Sequence, residues 1–213
     1  MKPIRTTLTL ATADADGVAQ SQNPGSGADV TINGALASGG VATFDVARRV
    51  RITSGGNDTA VTFTLYGTDR NGIAIQESVT GTNTSTADSV KDYKTVTRIA
   101  TSGDAAAGLT IGTGPVASTP WIPICSVVNP CNIALAVMLS AGTSMTYSVE
   151  HTLDEIQNLD LIKTGTITTL THEDLVSKTA SADGNYAFAP TAVRVTTSAY
   201  SSGTLTFTVI QAG

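Results

Sequence analysis

The sequence predicts an all-β protein, and three observations carry that prediction. Apolar and polar residues alternate with a period of two through short runs, most clearly Val50 and Ile52, then Val61, Phe63 and Leu65. Between such runs lie clusters of Gly, Asn, Asp and Ser, which tolerate the backbone angles of tight turns. Charged residues make up 14% of the chain against the roughly 25% usual in soluble domains, and Thr, Ser, Gly and Asn take their place. That mixture suits strands whose outer faces are polar but uncharged.

The organising stretch is residues 48–81, which reads as three strands joined by two tight turns, Ser54-Gly55-Gly56-Asn57-Asp58 and Asp69-Arg70-Asn71-Gly72. Before it, residues 6–10 fit a first strand, 13–27 a flexible, exposed loop or arm, and 30–32 and 41–46 two further strands. After it, residues 82–89 read as a polar loop, and 96–100 and 108–112 as short strands. Residues 114–123, GPVASTPWIP, hold three prolines and the only tryptophan. Proline cannot continue a central strand, so the chain should divide here. The expectation is two β-sandwich or barrel-like domains, residues 1–115 and 116–213, joined by a Pro-rich linker.

In the second half, residues 133–139 and 145–152 suggest a strand pair across Ser140-Ala141-Gly142. The unbroken apolar run Ile133-Ala134-Leu135-Ala136-Val137 implies burial on both faces. Residues 153–161 leave room for one helical turn. Thr171-His172-Glu173-Asp174 matches a helix-capping pattern and predicts a short helix near Leu175. Residues 192–197 and 204–210 alternate cleanly and predict a terminal hairpin.

Charge and cysteine content exclude several classes. The formal charge is −5, and the one basic cluster, Arg48, Arg49 and Arg51, is too small for a phosphate track. Arg49 and Arg51 share a strand face, where they are expected to pair with acidic neighbours or point into solvent, so no direct nucleic-acid contact is predicted. No apolar run nears the ~20 residues that span a bilayer, and the first residues do not resemble a signal peptide; folding in a cytoplasm, away from membranes, is expected. Cys125 and Cys131 read as two buried thiols, with a bridge across the intervening loop as the alternative.

Candidate chemistry is sparse. Glu150, His151, Asp154 and Glu155 cluster in sequence, but neighbouring strand residues face opposite ways and no second histidine lies at ligand spacing. His172, Glu173 and Asp174 are equally isolated. Asn57-Asp58 and Asp69–Asn71 carry oxygens suited to calcium, yet the EF-hand spacing is absent and hairpin chemistry explains them. No nucleophile elbow, phosphate loop or dinucleotide fingerprint occurs. A non-enzymatic chain is therefore expected, with no catalytic residues, metal ligands or cofactors. Phe63, Phe207 and Tyr147 fall in strand alternation and read as core, leaving few aromatics for a sugar-binding groove. Trp121, held between Pro120 and Pro123, is the candidate interface; its simpler role is to plug the join between domains.

Residues 50–99 match a strand-and-turn pattern through Ile52-Thr53-Ser54, residues 61–64, Gly67-Thr68-Asp69, Asn71-Gly72, Ile75, Glu77, Val79, Gly81 and Tyr93-Lys94-Thr95-Val96. Pro120-Trp121, residues 147–152 and residues 192–213 extend the match. The chain thereby resembles tailed-bacteriophage virion structural proteins of the small β-rich kind. The resemblance implies a virion structural protein, and the role expected of it here is that of a head decoration, or cement, protein that folds in the host cytoplasm and docks on the capsid exterior. Its implied partners are the major capsid protein or other virion proteins, and it implies a homo-oligomer, a trimer being the expected form. The alternatives are a tail- or fibre-associated adaptor and a carbohydrate-binding module on a host-facing appendage. No catalytic residue carries over.

Overall fold

Period-two burial runs through most strands of the computed structural model, which describes residues 3–125 and 132–212. The chain divides into two units, Ala13–Gly114 and Met1–Thr12 with Pro115–Gly213. The first twelve residues thus join the C-terminal half, not the half they open. The cause is backbone pairing: β1 (Ile4–Leu8) lies antiparallel to the C-terminal strand, Leu205–Ala212.

The unit Ala13–Gly114 is built from β2 (Ala19–Gln22), β3 (Ala37–Ser38), β4 (Val41–Thr53), β5 (Thr62–Thr68), β6 (Ala74–Thr80), β7 (Thr86–Thr101) and β8 (Leu109–Ala117). They form one sheet in the order β2-β8-β4-β7-β5-β6, with β3 added beside β4. The β5–β6 hairpin is as the sequence predicts. Asp69 accepts hydrogen bonds from the Asn71 and Ile73 amides at 2.8 and 2.9 Å, and Gly72 takes a φ of 78°. The other predicted turn joins no hairpin, because β7 lies between β4 and β5. Residues 54–58 are held instead by the Asn57–Asn83 bridge and by the Asp58 carboxylate, which accepts from the Ala106 amide at 2.7 Å.

Residues 13–27 are no free arm. Val18 and Ala19 are fully buried, and the Val18 amide donates to the Ile111 carbonyl. Residues 30–32 make no strand; Asp29 forms a lone bridge to Ala100. The basic cluster turns inward or pairs. Arg48, on the face of Val50 and Ile52, is 1% exposed; it donates to the Gly114 carbonyl and meets Asp45 at 3.4 Å. Arg51 grips Asp88 with two bonds of 2.7 Å, and Arg49 lies opposite Asp92.

The second unit adds β9 (Ile122–Pro123), β10 (Asn132–Leu139), β11 (Ser144–Thr152), the helix α1 (Leu159–Lys163), β12 (Leu170–Thr171), β13 (Ala182–Tyr186), β14 (Ala192–Ser202) and β15 (Leu205–Ala212). Its two antiparallel sheets run β1-β15-β10-β13 and β12-β11-β14-β9. Ile133, Leu135, Val137, Leu205, Phe207 and Val209 are buried from the first; Met145, Tyr147, Val149, Val193 and Val195 from the second. Both predicted hairpins of this half are absent as pairs. The strands exist, but β10 and β11 belong to different sheets, as do β14 and β15. Alternation fixes which face a residue takes; it does not choose the neighbouring strand.

Four further expectations change. β10 is buried on one face only, with Ala134 exposed, since alanine is small enough to sit outside at little cost. No helix forms near Leu175: Thr171 ends β12, and the His172 ring takes over the capping role by accepting from the Asp174 and Leu175 amides. The helix stands earlier, where Asn158 caps the Asp160 and Leu161 amides. The Pro-rich stretch is no loose linker. Pro115 lies within β8, Ser118 bridges Thr196, and Pro123 sits on β9, an edge strand where a missing N–H is tolerated. Cys125 is exposed rather than buried, and Cys131 lies outside the described residues.

One-sided burial of β10 sets unequal costs for adjacent positions. Leu135→Ala should destabilise by about 2–5 kcal/mol, and Ala134→Ser by no more than ~0.5 kcal/mol, in denaturant melts. Equal losses would mean that both faces are packed.

Candidate functional site

β9 and β14 run side by side, which brings Trp121 next to Arg194, and β11 brings Glu150 to the other side of Arg194. The Arg194 Nε donates to the Glu150 carboxylate at 2.8 Å, and the guanidinium lies 4.4 Å from the centre of the Trp121 ring. The ion pair is largely shielded, its side chains 14% and 12% exposed. Trp121 itself is half-buried, while Pro120 and Pro123 are exposed. The predicted interface residues thus stand together as a stiff apolar rim beside a neutralised ion pair. A cation over an indole is worth about 0.5–2 kcal/mol.

The histidines that look isolated in sequence converge on Tyr186. Its hydroxyl and the His151 Nδ1 are 2.9 Å apart, and its ring packs edge-on against His151 at 5.0 Å and His172 at 4.7 Å. Phe188, half-exposed, closes the cluster against Tyr186 and His151. His172 Nδ1 accepts two backbone hydrogens, so its proton sits on Nε2 and points at the Asn185 carbonyl, 3.1 Å away. Burial lowers the His151 pKa, with His172 adding to the effect, and burial raises that of Tyr186. The polar atoms of the stack are spent on structural hydrogen bonds. No local signal gives it away, since His151 and Tyr186 belong to strands of different sheets.

The acidic candidates are dispersed. Glu150 faces Arg194, the Asp154 carboxylate accepts from the Thr168 amide at 2.6 Å, and Glu155 is exposed. Among the described residues no three His, Cys, Asp or Glu side chains come together as a metal would require. Among the described residues no helix is long and apolar enough to cross a membrane. An open groove of about 350 Å³, lined by Thr143, Ser144, Met145, Thr146 and Tyr200, lies beside the bulges in the β11–β14 ladder.

No known protein family and no curated protein matches this chain. Among solved structures, a viral major capsid protein (STIV MCP) aligns over 98% of this chain and 96% of its own, at 8% identity and a TM-score of 0.20. A likeness that faint carries no argument.

The depressed His151 pKa fixes the sign of a pH effect. The unfolded chain takes up this proton near the ordinary value of 6.5, the folded one only at lower pH. Stability from this group is therefore complete above about pH 6.5 and declines as the pH falls through the folded pKa. Thermal melts should show that decline, and His151→Gln should flatten the part of the profile just below pH 6.5. Tyr186→Phe should cost about 1–3 kcal/mol by leaving the buried His151 Nδ1 unpaired.

Proposed function

We propose that this chain is a non-enzymatic virion structural protein, a head decoration protein that binds the outside of a capsid lattice. The observation that carries the reading is the placing of charge. Arg48, Arg51 and Arg194 are each held against a carboxylate. The open face of the β1-β15-β10-β13 sheet is left to Thr, Ala, Ile, Met and Asn over its two central strands. Such a face docks on another protein without stripping water from many charges. Repetition over equivalent lattice positions would then hold the shell by mass action and avidity. The resemblance to small β-rich phage proteins points the same way. The partners are the major capsid protein or neighbouring virion proteins, reached after folding in the host cytoplasm.

The groove beside Tyr200 favours a second reading, a glycan-binding module on a host-facing appendage, since hydroxyl-bearing side chains surround one aromatic ring.

Counting this chain in purified particles by quantitative gel and cryo-electron microscopy separates the readings. Copies in the hundreds over the head support decoration; a dozen or fewer at one vertex assign it to the tail. Saturable glycan binding that Tyr200→Ala abolishes supports the second reading. Trp121→Ala tests the interface directly. As an anchor for the capsid, its loss leaves the melting temperature within a few degrees and abolishes attachment; as packing alone, it lowers the melt and spares attachment.

A further inference from the structure

The outer face of the β1-β15-β10-β13 sheet carries opposite charges at its two edges. Residues directly opposite in a ladder share a face. The registers therefore align Arg5, Thr208, Ala136 and Asp183 in one row straight across the four strands. Arg5 and Asp183 end that row on opposite edges, both exposed, and neither makes an ion pair among the described residues. The flanking rows place Ile210 beside Ala134, and Thr206 beside Met138. Ile210 and Met138 are 40% and 57% exposed.

We propose that this face joins two copies of the chain about a two-fold axis running parallel to the strands, above the line between β15 and β10. That rotation exchanges the edges. Arg5 then meets the partner's Asp183 at one end of the row, and Asp183 meets the partner's Arg5 at the other. It also exchanges the central strands, so Ile210 faces the partner's Ala134 and Met138 faces the partner's Thr206. Large meets small in each flanking row, and opposite charges meet at both ends. Sheets pack face to face with strands within about 30° of aligned, which this operation allows.

Two central strands of eight residues and two edge strands of five, about 4.8 Å apart at about 3.3 Å per residue, give a footprint of roughly 400 Å². A standard stable interface takes about 800 Å² per partner. The pair is accordingly weak and concentration-dependent, and it contains two copies rather than the three that the phage resemblance implies. It draws on the same open face as the decoration reading, and the two fail separately, because the dimer is read on purified protein in solution.

Sedimentation equilibrium on the purified full chain, from about 5 to 500 μM, tests it. Wild type should pass from monomer to dimer. Arg5→Asp and Asp183→Arg should each raise the dissociation constant at least tenfold by setting like charges together at both ends. The double variant Arg5→Asp/Asp183→Arg should restore wild-type association. Unchanged circular dichroism establishes that each variant is folded, and Met138→Glu, at an equally exposed position, should also abolish the dimer. Wild type that stays monomeric throughout, association indifferent to the single reversals, or a double variant that fails to recover would each overturn the proposal.

Discussion

The larger sheet depends on both edges of β7 being occupied. A sixteen-residue strand offers amides and carbonyls on either side, and leaving a row of them buried and unpaired would cost more than the fold can spare. β4 takes one edge and β5 the other. That insertion parts two strands that adjoin in sequence and leaves the residues between them as a connection over the sheet. It also demands close approach. A Cβ on Gly67 would lie 1.9 Å from the Thr95 carbonyl oxygen, so β5 can meet β7 there only through glycine. Tyr93 of β7 is wholly buried, and burial raises its pKa.

What was legible in the sequence follows from what a period of two encodes. It places Phe63, Leu65, Phe207 and Val209 inside, and Asp69-Arg70-Asn71-Gly72 marks a real hairpin, because a turn's chemistry is local. Strand partnership is not local. The connections at residues 140–143 and 203–204 look like hairpin loops, yet both carry the chain from one sheet of the sandwich to the other. The same short polar, Gly-containing loop serves either geometry. The unit to which the N-terminal strand belongs is hidden for the same reason: Ile4 pairs with Val209, at the far end of the chain.

The candidate site was legible in part. Trp121 stands out by its flanking prolines, but its neighbour Arg194 and the carboxylate of Glu150 come from strands distant in sequence. The parity of the alternation already aligned Arg48 with Val50 and Ile52, a signal that its charge is interior. The histidines illustrate the opposite case. Each carries carboxylates nearby in sequence, which suggests chemistry, whereas the fold turns those carboxylates elsewhere and sets both rings on Tyr186. Both His172 nitrogens meet the backbone and the His151 Nδ1 meets a hydroxyl, which is what burial requires of polar groups.

Charge placement connects this economy to assembly. A β face of threonine, alanine and a few larger apolar side chains has little to fix its alignment against another sheet, and a flat face of that kind can slip along the strands. Arg5 and Asp183 supply what the centre lacks. Sliding by one repeat of two residues would set Arg5 opposite Ser181 or Asn185, losing the ionic contact at both ends at once. Two exposed charges of this kind contribute little to the stability of a single chain. Their effect lies in excluding the wrong registers, and a sheet face otherwise without charge makes that exclusion sharper.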